Sequence, residues 1–222
     1  MRLIAVLPMR GGSQRVPRKN LRDLGGVPLF VHALKTLQSL SIFEEVVVDS
    51  DSDEILNAVS KYLTEKTVLS KRPPELGLGS TPMTEVLSRL GDKFEPDWIF
   101  QTHSTSPFLN AKTIENFINR VFSEGYDSGF SVSALQARLW DSNSMPLNHS
   151  PGELKPTQEL EKIFVENSAF YFFRPNQLTK RKTRFGLNPL MFELSRIESI
   201  DIDEEDDFSL AEAVIEGIKN DY

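Results

Sequence analysis

The chain has 222 residues, 39% of them hydrophobic, which is enough for one α/β domain with a sizeable core and an excursion from it. A net charge of −7 argues against a broad basic surface for nucleic acid, and the absence of cysteine removes disulfides, thiolate catalysis and cysteine-ligated zinc together. No apolar run approaches membrane-spanning length and no cationic segment leads into one, so the expectation is a soluble cytoplasmic protein without a membrane partner.

Leu3 to Pro8 reads as a buried first strand, aliphatic and β-branched throughout. Met9 to Asn20 follows, and the rest of the chain is organised around it. Gly11, Gly12 and Ser13 let the backbone turn sharply and aim successive N–H groups into one concavity, a ready anion site. Arg10, Arg15, Arg18 and Lys19 lie in or beside that turn, opposite in sign to the chain as a whole. The stretch lacks both the Gly-Lys-Ser/Thr ending of a Walker loop and the Gly-x-Gly-x-x-Gly spacing of a dinucleotide fold. It reads as a polyphosphate cradle, and the alternative is a plain turn with solvated cations.

A helix starts near Pro28, with Phe30, Ala33, Leu34 and Leu37 on one face. Glu45 to Asp49 is a short buried strand whose polar tail, Asp49-Ser50-Asp51, starts the next helix, and Lys66 to Leu69 is a third strand. Strands alternating with helices at this spacing predict a parallel sheet covered on both faces, with ligands beyond the carboxyl ends of the strands. Arg72 to Thr81 is stiff at its prolines and flexible at its glycines, and Thr81-Pro82 is expected to cap a helix carrying Met83, Val86, Leu87 and Leu90. Trp98 to Thr102 is a strand that ends in the polar turn His103 to Pro107. Asn110 caps the clearest helix, with Ile114, Phe117, Ile118, Val121 and Phe122 as its stripe, and Ser128 to Ser133 is another strand.

From Leu135 to about Pro189 proline and asparagine are frequent and regular alternation is lost until Ala169 to Phe173. That run is more aromatic than one covered strand needs. It reads equally as an extension packed on a partner chain or as a long ordered loop on the same subunit. Ser199 to Asp203 is expected to be a last strand, and Asp206 opens a closing helix with Phe208, Ala211, Ile215 and Ile218 facing in. Residues two apart on a strand share a face, so Asp201 and Asp203 can reach one hard cation; the other reading is a solvated acidic stretch, since Glu204, Glu205, Asp206 and Asp207 follow. A basic cradle with a carboxylate-held Mg²⁺ is the minimal equipment for nucleotidyl transfer.

Arg10 to Ser13 through Pro17 to Asn20, Arg72 to Leu76, Thr105-Ser106-Pro107 and Ser199 to Asp203 together resemble the ordered motifs of the acylneuraminate cytidylyltransferases, the CMP-sialic acid synthetases. The resemblance runs over nearly the whole chain. It implies a nucleotidyltransferase that joins CMP from CTP to the anomeric hydroxyl of a sialic-like or related keto-deoxy sugar acid and releases pyrophosphate. By that resemblance Arg10, Ser13 and Lys19 hold the triphosphate within the Gly11-Gly12 turn, Asn20 contacts the ribose, and Arg72 the cytosine, with Ser80 and Thr81 close by. Asp201 and Asp203 hold Mg²⁺, and Arg10, Lys19 and the two aspartates form the catalytic set. Thr105 and Ser106, with His103 beside them, line the acceptor side. The implied fold is a three-layer, Rossmann-like, mostly parallel α/β sheet with an extended dimerisation arm. Residues 1–134 form the nucleotide-binding core, 135–189 the arm of a homodimer, and 190–222 the return to the core.

The chain departs from the family pattern at three places. Gln14 stands where a lysine is usual, with Arg15 as its nearest substitute. His103 stands where the family has glutamine. Val165-Glu166 stands where an arginine precedes the Asn-small-Ala segment, and glutamate cannot supply the fork that arginine offers a sugar carboxylate. Two further readings stay open: a cytidylyltransferase for another anionic acceptor such as an eight-carbon keto-deoxy acid, and a non-catalytic CTP or CMP binder.

Overall fold

The computed structural model describes residues 1–12, 15–153 and 155–220. In chain order the strands are β1 (Leu3–Met9), β2 (Asp23–Leu24), β3 (Val27–Pro28), β4 (Glu45–Ser50), β5 (Thr67–Lys71), β6 (Trp98–Thr102), β7 (Ser128–Leu135), β8 (Ile163–Phe173) and β9 (Pro189–Glu193). The helices are α1 (Leu29–Ser39), α2 (Asp53–Val59), α3 (Met83–Phe94), α4 (Ala111–Ser123), α5 (Pro175–Arg181) and α6 (Glu205–Asn220). Among the described residues, seven strands form one sheet in the order β5-β4-β1-β6-β8-β7-β9, with only β8 running against the others, and β2 pairs with β3 in a small hairpin. This is the mostly parallel α/β sheet that the alternation of elements predicts.

All seven residues of β1 are buried because both faces of the sheet are covered. Leu3, Ala5 and Leu7 point to the face held by α1 and α4, while Ile4 and Val6 point to the face held by α3 and α5. A third, smaller cluster packs Val16, Leu24 and Leu29 against Ile202, Phe208, Ala211 and Ile215. It fastens α6 over the β2–β3 hairpin and anchors the exit of the glycine-rich loop. Ile218, expected on that inner face, is 44% exposed. No helix among the described residues is long and apolar enough to cross a membrane.

Four expectations need correction. The aromatic run Ala169 to Phe173 is the end of β8 and lies inside its own sheet between β6 and β7. Phe170, Phe172 and Phe173 are fully buried there, with Phe172 stacked on Trp98 at 4.5 Å, so these rings face no partner. The excess of aromatics reflects a strand covered on both faces and set opposite Trp98, Phe100 and Phe117. Second, Ser199 to Asp203 pairs with no strand; Ile202 N–H donates to the Thr105 carbonyl and its side chain plugs the third cluster, which produces the apolar alternation without a ladder. Third, Asp49 and Ser50 belong to β4, and Ser52 caps α2, its hydroxyl accepting from Ile55 N–H. Fourth, Thr81 does not cap α3; its hydroxyl donates to the Glu75 carbonyl. Asn110 caps α4 as expected, accepting from Thr113 N–H at 2.9 Å.

Candidate functional site

Parallel neighbours β1, β4, β5 and β6 all open their carboxyl ends on one rim, so the loops that follow them converge. There they enclose a cavity of about 540 Å³ with Arg10, Gly12, Arg15, Lys19, Asn20, Arg72, Thr81, His103, Thr105, Asp201 and Asp203 on its wall. Stretches nearly two hundred residues apart in sequence thus share one site. Gly11, Ser80 and Ser106 do not line it, and Ser13 and Gln14 lie outside the described residues.

In the turn after β1 the Gly11 N–H is already engaged by a neighbouring side chain. Gly11 N–H donates to Asp51 at 2.9 Å, and a Cβ at Gly11 would stand 2.9 Å from the Ser52 Cβ, so glycine is required by close approach to the β4–α2 turn. A Cβ at Gly12 would meet nothing within 4 Å, and Gly12 lines the cavity. Asn20 is buried and fully engaged: its amide donates to the Arg10 carbonyl at 3.0 Å and its oxygen accepts from Ser104 at 2.6 Å. It therefore fixes the loop after β1 to the loop after β6. Arg10 enters no ion pair among the described residues.

Arg72 is 3% exposed. Its Nε donates to the fully buried Asp49 carboxylate at 2.6 Å, and Nη2 reaches the carbonyls of Met9 and Asp49. Arg89 holds the other oxygen of Asp49. A buried carboxylate between two guanidiniums satisfies the charges that burial would otherwise penalise. It also leaves Nη1 as the Arg72 nitrogen without a protein partner among the described residues.

The carboxylates occupy the opposite wall. Lys19 Nζ donates to the Ile202 carbonyl at 2.6 Å and to Asp203 at 3.2 Å, while Arg15 pairs with the other Asp203 oxygen at 2.9 Å. Partial burial pushes the Asp203 carboxyl up, but Lys19 and Arg15 together outweigh it and hold the group below its ordinary value. Asp201 is the reverse: burial pushes it up, the hydrogen bond from Thr105 opposes this, and the Asp203 charge adds to the rise. Its Oδ1 is buried with no hydrogen-bond partner, a condition a bound cation would relieve. Among the described residues no group of three or more His, Asp or Glu side chains gathers to hold a metal unaided. Two carboxylates completed by waters and substrate phosphate oxygens are an ordinary donor set for Mg²⁺, so the residues fit that ion.

On the third wall, Thr105 lines the cavity, whereas Ser106 is 1% exposed and its hydroxyl is buried without a partner. His103 Nε2 lies 2.7 Å from Gln101 Nε2. Burial, the Arg184 guanidinium and Lys19 bring the His103 imidazole down to about 4, with Asp203 pulling the other way. Two polar lining residues escaped the sequence reading. Ser104 is the clamp on Asn20, and its place in the turn after β6 was available as a signal. Ser168 arrives through an irregularity in the β7–β8 ladder, where β8 covers Tyr171 to Glu166 while β7 covers only Phe130 to Val132. Ser168 takes a left-handed φ of 58° and bonds the Tyr171 hydroxyl at 2.9 Å. Periodicity carries no sign of such a bulge.

A family model described as Cytidylyltransferase matches residues 4–219. N-acylneuraminate cytidylyltransferase A of Danio rerio is 28% identical over 94% of this chain and 49% of its own length, so the chain spans about half of that relative. CMP-N,N'-diacetyllegionaminic acid synthase of Legionella pneumophila is 30% identical, with 97% of each protein covered. A solved CMP:2-keto-3-deoxy-manno-octonic acid synthetase complexed with CTP superposes with a TM-score of 0.70 over all of both chains at 17% identity, a likeness of fold.

Proposed function

The chain belongs to the cytidylyltransferase family, and from that premise we propose that it is a Mg²⁺-dependent enzyme that transfers CMP from CTP to the anomeric hydroxyl of a sialic-like or related keto-deoxy sugar acid. The observation that carries the proposal is the meeting of Arg10, Arg15, Lys19 and Arg72 with Asp201 and Asp203 around one cavity. The acceptor oxygen attacks the α-phosphorus, the bond from that phosphorus to the bridging oxygen breaks, pyrophosphate leaves and the hydroxyl proton is released. Arg10, Arg15 and Lys19 offset the negative charge of the triphosphate, and preorganised cations of this kind stabilise charge that develops on the leaving group. Arg72 meets the base with the nitrogen that Asp49 leaves over. Asp201 and Asp203 hold Mg²⁺, which when bound supplies further neutralisation at the phosphate oxygens. Thr105, His103 and Ser168 face the acceptor. The enzyme works in the cytoplasm as a homodimer.

Two relatives are named for sialic and legionaminic acid chemistry, which supports a nine-carbon keto acid as the acceptor class. Glu166, where an arginine is expected, accepts from the Tyr171 hydroxyl, and no cation pairs with it among the described residues. N-acetylneuraminate itself is therefore a poor substrate, because the guanidinium fork expected for its carboxylate is missing at this position. Pyrophosphate release with CTP against a panel of keto-deoxy sugar acids tests the reading. Release that depends on one such acid supports it; no release with any acid overturns it. An efficiency for N-acetylneuraminate of the order of 10⁴ M⁻¹s⁻¹ or more overturns that expectation.

A further inference from the structure

Behind the acceptor wall lies a chain of polar contacts that nucleotide chemistry does not require. Arg184 stacks on the Tyr171 ring, its guanidinium carbon 3.3 Å from the ring centre, and its Nη1 donates to Gln101 Oε1 at 2.8 Å. Gln101 is fully buried in β6, and its amide nitrogen lies 2.7 Å from His103 Nε2. A guanidinium can only donate, so the atom of Gln101 that faces it must be the oxygen. The atom that faces His103 is then the NH₂, which can only donate. His103 Nε2 must in turn be the bare, accepting nitrogen, and the ring proton resides on Nδ1. Among the described residues Nδ1 has no hydrogen-bond partner, and His103 lines the cavity.

Resting on the function proposed above, we infer that Arg184 and Gln101 are positioning residues that lock His103 as an Nδ1–H hydrogen-bond donor to an oxygen of the acceptor sugar acid. The charges around the ring favour the neutral form: Arg184 and Lys19 oppose a second proton, burial does so more strongly, and Asp203 alone favours it. A donor at this wall selects acceptors that offer a carboxylate or hydroxyl oxygen there, and the cation behind the relay favours the anionic one.

Imidazole ¹⁵N chemical shifts decide the relay without any acceptor. The chain has three histidines, and His103→Gln assigns the signal by its disappearance. The wild type should show His103 with protonated Nδ1 and bare Nε2 from about pH 6 to 8. A dominant Nε2–H tautomer, or a charged ring in that range, overturns the relay. Arg184→Met keeps the stem over Tyr171 and removes the donor, so Gln101 is free to turn and both tautomers should appear; Arg184→Lys should preserve the single form. A single unchanged tautomer in Arg184→Met overturns the role of Arg184. With the acceptor found in the panel, Arg184→Met should raise KM for that acid roughly tenfold, the effect of one hydrogen bond in a desolvated site, with CTP affinity by calorimetry unchanged. An unchanged acceptor KM overturns the acceptor contact. Loss of CTP affinity in Arg184→Met overturns the acceptor-side placement. If the panel yields no substrate, the function proposed above fails while the tautomer still reports on the relay.

Discussion

Lys19 and Asp203 hold each other in the absence of nucleotide, and this sets what each substitution should do. Lys19 is largely buried and bonds both the Ile202 carbonyl and Asp203. A triphosphate would take over part of that ammonium, so Lys19→Ala should weaken CTP binding by about 1.5–3 kcal/mol, the range for a charged hydrogen bond; calorimetric titration measures it, and wild-type affinity would return the loop to a plain turn. Asp203→Asn removes one charge from the pair proposed to hold Mg²⁺ and leaves the cations in place. CTP should still bind, while turnover falls roughly a hundred- to a thousand-fold, as when a preorganised electrostatic group is lost. Glu204→Gln, a change on an exposed neighbour, should keep a near-normal rate across a Mg²⁺ titration. His103 gives a pH signature. Its folded value of about 4 lies below the ordinary 6.5, so the unfolded chain binds more protons between those values. Stability from this residue is complete above about pH 6.5 and is lost as pH falls toward 4, on the order of 3 kcal/mol in all. Urea midpoints should drop more steeply across that window in the wild type than in His103→Gln; equal slopes would contradict the burial of a neutral ring. Arg10, Lys19, Arg72 and Asp203 were legible because each lies in a short motif whose residue types name their chemistry. Arg184 was not, because only the fold brings residue 184 beside residue 101.

Elements were legible where burial on both faces leaves an unbroken apolar run, as in β1 and β4, or where a helix has a cap and a stripe, as in α4. They were not where apolar alternation has another cause. Around Ile202 the pattern comes from one side chain plugging a small cluster, and the backbone runs past the ends of the strands with no neighbour to pair. β9 was missed for the opposite reason: Leu190 and Phe192 do alternate inward, but Pro189 opens the strand and a polar, cation-rich stretch precedes it. β8 carries the most weight. Inserted antiparallel between β6 and β7, it supplies Phe170 and Phe172 to one face of the core and Tyr171 and Phe173 to the other. Phe172 touches the rings of Trp98, Phe100, Phe117 and Phe122. Phe172→Ala should cost about 3–5 kcal/mol in urea unfolding, the usual range for emptying such a site. A loss under about 1 kcal/mol would mean that this strand does not pack in its own chain.

At the scale of the molecule, Arg10, Lys19, Arg72, Asp201 and Asp203 of one chain line the same cavity, and large apolar side chains lie exposed elsewhere on its surface. Between β7 and β8 the chain leaves the sheet, and there Trp140 (51%), Met145 (60%) and Leu147 (63%) are exposed. Val165 on β8 and Met191 on the edge strand β9 are also about half exposed. Large apolar side chains gathered on one excursion and the sheet edge beside it are unusual on a monomer's surface, and an edge strand invites pairing. A second copy placing the same surface against this one would cover both by two-fold symmetry. The fully buried aromatics of β8 play no part in that contact, so the association should be sensitive to the excursion alone. Sedimentation at micromolar concentration should show a dimer. Leu147→Asp puts a charge in the middle of the apolar excursion and should give a folded monomer, with an unchanged urea midpoint for the core at low protein concentration. Because Arg10, Lys19, Arg72 and the aspartates all come from one chain, that monomer should bind CTP as the wild type does. Acceptor turnover should fall if the partner's excursion closes the sugar side of the cavity, and KM for the acid should rise more than kcat drops. A wild type that sediments as a monomer with full activity would remove the partner from the site altogether and leave acceptor recognition to His103, Thr105 and Ser168 of the same chain.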